Sequence, residues 1–72
     1  MICVKVQFLL DSEKSYKEVC VEEGETLSDL MPKIGIYRED YYIFVVNGAV
    51  RFKNYVLMEG DDVKVFIAMI GG

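Results

Sequence analysis

Seventy-two residues, 53% of them apolar and 28% charged, suit one globular domain, leave no room for a second, and are too hydrophobic for intrinsic disorder. The net charge of −4 and the scattered placement of the eight Lys and Arg argue against nucleic-acid binding, which needs clustered cations to displace phosphate counterions. With no histidine and two cysteines there is no material for a zinc quartet, a Cys/His dyad or histidine-based catalysis, and no window approaches the roughly 20 apolar residues of a membrane span.

Ile2, Val4, Val6 and Phe8 recur at every second residue, which predicts a strand over about 2 to 10 with one buried face, in a cytoplasmic protein. Asp11 to Ser15 supply turn residues, and Tyr16, Val19 and Val21 then give a second, antiparallel strand. If Val19 and Val21 face inward, Cys3 and Cys20 share the outer face of this hairpin. We read them there as two unpaired, reduced thiols.

From Thr26 the period changes. Thr26 is a good N-cap, Asp29 completes a capping-box pattern, and Leu27, Leu30, Met31 and Ile34 fall on one helical stripe that Gly35 is placed to end. Pro32 removes one backbone donor, so the helix between Leu27 and Ile34 is expected to be short or kinked.

The run Tyr41 to Val46 is dense in aromatic and β-branched residues and predicts a strand well inside the sheet; Asn47-Gly48 turns it into a short strand over about 49 to 52. Glu59-Gly60-Asp61 marks another turn. In the last strand Val63, Val65 and Ile67 alternate with Lys64, but Phe66, Ala68 and Ile70 are apolar too, which suits a central strand beside the first. The acids in Glu22 to Glu25, Glu39-Asp40 and Glu59 to Asp62 read as a solvated surface or as a face for a basic protein. Together the elements give β-β-α-β-β-β, an α+β fold with one helix packed across a mixed sheet; a small barrel is the other architecture, and it leaves the Thr26 to Ile34 segment without a purpose.

This order, with Val46-Asn47-Gly48 at the turn, Leu57 and Glu59-Gly60-Asp61-Asp62-Val63 before the last strand, and Gly71-Gly72 at the end, resembles the ThiS/MoaD family of β-grasp sulfur carriers over the whole chain. The resemblance implies a single ubiquitin-like β-grasp domain, residues 1–72, with a flexible Gly-Gly tail. It implies a carrier acted on by others, not an enzyme: the Gly72 carboxylate is adenylated by a ubiquitin-activating-like adenylyltransferase, which supplies ATP and magnesium. A sulfur donor such as a cysteine desulfurase then converts it to a thiocarboxylate that an acceptor synthase uses in thiamine-thiazole or molybdopterin biosynthesis. A terminal carboxylate ionises at about 3.3–3.7, so it is an anion at neutral pH but inert as an acyl donor until activated. Gly71 and Gly72 lack the Cβ atoms that would block an extended tail in a narrow channel.

Phe66, Ala68 and Ile70 form the expected partner-binding patch unless a loop, such as Lys53 to Met58, covers them. The chain itself is expected to hold no cofactor and no metal, and neither membrane nor nucleic acid is among the expected partners. Molybdopterin-type small subunits usually carry prolines just before the glycines, where this chain has Ala68-Met69-Ile70; the thiazole branch fits the tail better, while the first hairpin is longer than in the most compact carriers of that branch. A ubiquitin-like modifier joined through Gly72 to lysines, and a non-catalytic β-grasp binding module, stand as alternatives. A β-grasp [2Fe–2S] protein needs four cysteine ligands and is excluded for a monomer.

Overall fold

The apolar alternation of the first ten residues becomes strand β1, Ile2–Phe8, in a computed structural model that describes residues 1–9, 16–38 and 41–67. β2 (Tyr16–Val21), α1 (Leu27–Lys33), β3 (Tyr42–Val46), β4 (Ala49–Arg51) and β5 (Asp62–Ile67) follow. The sheet has five strands in the order β2-β1-β5-β3-β4, with β1 and β5 parallel and the other pairs antiparallel. The sheet is open, with β2 and β4 as its edges, so the barrel alternative is set aside and the mixed sheet with one helix stands. The last strand is central beside the first, as its two apolar faces led us to expect.

Helix α1 obeys its sequence signals at both ends. The Thr26 hydroxyl accepts the Asp29 N–H at 3.4 Å, and the Asp29 carboxylate accepts the Thr26 N–H at 2.9 Å, completing the capping box. The bond from the Thr26 backbone is the main cause of an Asp29 pKa below the usual carboxylate value. At the other end Gly35, at φ +83°, is the left-handed C′ residue. The Ile36 N–H reaches the Met31 carbonyl at 2.8 Å and the Gly35 N–H reaches that of Pro32 at 3.3 Å, the two bonds of a Schellman motif. Ile36 and Met31 are both buried, which supplies the apolar contact that accompanies the motif. The helix has seven residues, so Pro32 stands near its end and interrupts little.

Leu27 and Leu30 are fully buried against Val4, Val6, Val63 and Val65 of the two central strands. Each leucine contributes roughly 1.5–3 kcal/mol by leaving water. The expected inward placement of Val21 holds, and Val19 packs against the same core from a half-buried position. The Asn47-Gly48 turn has positive φ at both residues, +52° and +85°, the conformation that matches the twist of a two-residue hairpin.

Two expectations are corrected. Cys3 and Cys20 are not free thiols: they stand opposite each other in the β1–β2 register, with Cα atoms 3.9 Å apart, and form a disulfide. Their shared outer face, inferred from Val19 and Val21, is what brings them together. Asp61, read as part of an acidic surface or a turn, is only 5% exposed.

Candidate functional site

Because residues alternate sides along a strand, burying Val63 and Val65 sends Lys64 and Phe66 to the opposite face of the sheet. β3 does the same: Phe44 and Val46 are buried, and Ile43 and Val45 point away from the helix. Register sets Ile43 directly beside Phe66. The two are 41% and 37% exposed, and with Leu9 and Val50 they form an apolar strip where β5 ends that the described residues leave exposed. The Leu9 N–H bonds the Val65 carbonyl at 3.0 Å, which fixes Leu9 next to that end.

The segment from Lys53 to Met58 does not cover the strip. Its Lys53 and Tyr55 carbonyls accept the Ser28 and Leu27 N–H groups, both at 3.0 Å, so it runs along the helix on the other side of the sheet. Of the sequence-predicted site residues, Phe66 lies on the face of the sheet away from the helix and is 37% exposed. Ala68, Ile70, Gly71 and Gly72 lie outside the described residues. Ile43, Val50 and Leu9 were missed, although β3, like β5, is apolar on both faces, and that pattern was the available signal. At the same end of the sheet, Met31, Tyr42, Phe44, Arg51 and Phe52 border a groove of about 290 Å³ between the helix and the β3–β4 hairpin.

The start of β5 is held by polar groups. The Asp61 carboxylate accepts the Asn47 amide at 2.8 Å, the Tyr55 hydroxyl at 2.9 Å and the Met58 N–H at 2.8 Å. The Asn47 side-chain oxygen takes the Asp62 N–H at 2.9 Å, and the Asp61 carbonyl takes the Lys5 N–H at 2.9 Å. Burial, and then the bond to Asp61, push the Tyr55 phenol above its ordinary pKa. Thus the Asn-Gly turn and the Gly-Asp-Asp turn, unremarkable separately, clamp one another and set where β5 begins. Both Asp61 oxygens and the Tyr55 hydroxyl are engaged in these bonds, which tie the two turns together.

The structure aligns with a putative molybdopterin converting factor, subunit 1, from Pyrococcus furiosus at TM-score 0.76 and 25% identity, over 93% of this chain and 98% of that one. It aligns with the ubiquitin of Caldiarchaeum subterraneum at TM-score 0.72 and 15% identity, covering 99% and 98% of the two chains. The chain is a ubiquitin-like β-grasp protein. SAMP1 from Haloferax volcanii shares this β-grasp at TM-score 0.69 and 17% identity, over 97% of this chain and 99% of that one. No protein-family model and no curated protein matches the sequence. The expected resemblance to MoaD-type proteins is thus met in the fold. Among the described residues no helix is long and apolar enough to cross a membrane.

Proposed function

We propose that this β-grasp protein is a sulfur carrier activated at Gly72. The observation that carries the reading is the uncovered Phe66–Ile43 strip, which ends where residues 68–72 begin, so that one docking event would hold the tail at a partner's active site. The likeness to a molybdopterin converting factor subunit 1 supports it.

In this reading the Gly72 carboxylate attacks the α-phosphorus of ATP on a ubiquitin-activating-like adenylyltransferase, and pyrophosphate leaves. The terminal sulfur of a persulfide on a donor such as a cysteine desulfurase then attacks the acyl-adenylate, displacing AMP and forming an acyl persulfide. A thiol reductant cleaves its S–S bond, leaving the thiocarboxylate and a disulfide between the thiol and the donor cysteine. An acceptor synthase in the cytoplasm takes that sulfur for thiamine-thiazole or molybdopterin formation. The structural likeness favours the pterin branch, and Ala68-Met69-Ile70 before the glycines favours the thiazole branch. ATP and magnesium belong to the activating partner, Phe66, Ala68 and Ile70 meet it, and Gly71 keeps the tail narrow.

The intact mass of the protein recovered from its native cell tests this. Gly72 as the last residue, with a gain of one sulfur less one oxygen, is the expected result. The second reading, a modifier, rests on the same tail and on the fold shared with a ubiquitin. It predicts instead an isopeptide between Gly72 and lysines of other proteins, and finding only such conjugates would replace the carrier with the modifier.

A further inference from the structure

We infer that Cys3, Cys20 and Glu18 form a redox-gated site for a soft cation of the zinc class: closed while the two sulfurs are bonded, open when they are reduced. The inference is independent of the proposed function, because the site lies at the start of β1, beside Gly60, whereas the tail leaves from the far end of β5.

The backbone makes the site. The Cys3 N–H donates to Glu59 Oε1 at 3.0 Å and the Cys3 carbonyl accepts the Gly60 N–H at 2.9 Å, so both main-chain groups of Cys3 point toward β5 and away from β2. Cys3 and Cys20 are therefore a non-hydrogen-bonded antiparallel pair, the type in which opposed side chains stand closest. Glu18, two residues before Cys20, shares its face. One carboxylate oxygen of Glu18 and the two sulfurs all lie within 4.8 Å of one another. Once the bond is reduced, rotation about the Cα–Cβ bonds parts the two sulfurs and brings the Glu18 oxygen in, to the edges of a tetrahedron with bonds of about 2.0–2.3 Å, and two thiolates with one carboxylate are a ligand set zinc accepts. Glu18 and Cys20 are exposed on an edge strand, which leaves a path for entry and a fourth position for water. Two other charged groups bear on the site: Lys5 stands opposite Glu18 in the register, and Glu59 adds negative charge beside Cys3.

A dithiol reductant gives two electrons and two protons to the Cys3–Cys20 bond and is itself oxidised to a disulfide. The divalent cation then displaces the two thiol protons to solvent as two metal–sulfur bonds form, and a Glu18 oxygen supplies the third ligand.

The test uses the full chain, reduced with a phosphine, freed of reductant and shown by thiol titration to have two free thiols, then titrated with cadmium as a spectroscopic stand-in for zinc. The expected result is a thiolate-to-cadmium charge-transfer band that saturates at one ion per chain, with one zinc per chain in native mass spectrometry. The oxidised chain and Cys20→Ser should show no such band. Glu18→Gln should keep the band but weaken binding by at least about tenfold, the lower end of what ligand-sphere changes cost. Should reduction unfold the chain, added zinc is expected to restore its far-ultraviolet circular dichroism. A fully reduced chain without the band, a band of equal strength in Cys20→Ser, unchanged affinity in Glu18→Gln, or an unfolded reduced chain that zinc leaves unfolded would each overturn the site.

Discussion

At its first residues β5 is held by buried polar groups, and at its last it offers uncovered apolar ones. Asp61, just before the strand, is nearly sealed from solvent and satisfied by Asn47, Tyr55 and Met58, whereas Phe66 and Ile67 remain 37% and 41% exposed. This inverts the usual preference of charged residues for the surface and large apolar ones for the interior. A buried carboxylate is tolerated only when its bonds are complete, so the clamp fixes the origin of the strand tightly. An exposed apolar end costs little in a folded monomer and becomes favourable when a partner covers it. One strand thereby serves as a fixed mount at one end and a contact surface at the other.

Breaking the mount should have the largest effect. Asp61→Ala strips three donors of their acceptor in a nearly dry site, and a loss of about 3–4 kcal/mol in a urea melt is expected. A loss below about 1 kcal/mol would show that the clamp is incidental. The disulfide comes next. It ties β2, an edge strand with little of its own surface buried, to β1 across a separation of 17 residues, and closing a loop of that size is worth about 3 kcal/mol. Cys20→Ser should therefore melt earlier, with the amides of β2 losing hydrogen-exchange protection before those of β3 and β5; uniform loss across all strands would contradict a local staple.

Much of the fold was legible in the sequence. Thr26 with Asp29 announced the start of α1, Gly35 its end, and the alternation around Val4 and Val63 the two central strands. What stayed hidden were facts of register and reach. Whether Cys3 meets Cys20 depends on how many residues the intervening turn consumes, and a slip of one residue would have sent the two to opposite faces. Asp61 looked like any acid in a turn, because its partners Asn47 and Tyr55 are distant in sequence and only the fold collects them. Ile43 lies in a strand dense in apolar residues, and only the alternation of buried Phe44 and Val46 shows that it faces out.

A smaller effect sharpens the mount. Tyr55→Phe removes one bond to Asp61 and should cost about 1 kcal/mol near neutrality. It should also change the alkaline limb of stability. The folded-state pKa of Tyr55 is raised, so its contribution is complete below the unfolded value of about 10 and is lost as pH rises through the folded one. The wild-type protein should lose stability above about pH 10 more steeply than Tyr55→Phe, and parallel curves would place the proton elsewhere. On the acid side Glu25 and Asp29 have lowered pKa values, Glu25 chiefly through its bond to Lys33 and Asp29 through the Thr26 backbone. Their contributions are present above about pH 4 and fade as pH falls through the lowered folded values.

The least effect on stability belongs to the open end. Phe66→Asp should cost about 0.2–1 kcal/mol in a urea melt, the worth of its cross-strand contact with Ile43. It should still weaken docking to an activating partner by about 2 kcal/mol or more, the scale of an interface hot spot. A variant that unfolds would make Phe66 a core residue and remove the distinction between the two ends.

The most direct measurement is pyrophosphate release from ATP by the cognate activating enzyme, with Gly72 either free or capped by a C-terminal extension. We expect release with the free carboxylate and none with the cap, while the melts of the two proteins coincide. Undiminished release from the capped protein would contradict activation at Gly72 and leave the Phe66–Ile43 strip as the surface of a binding module.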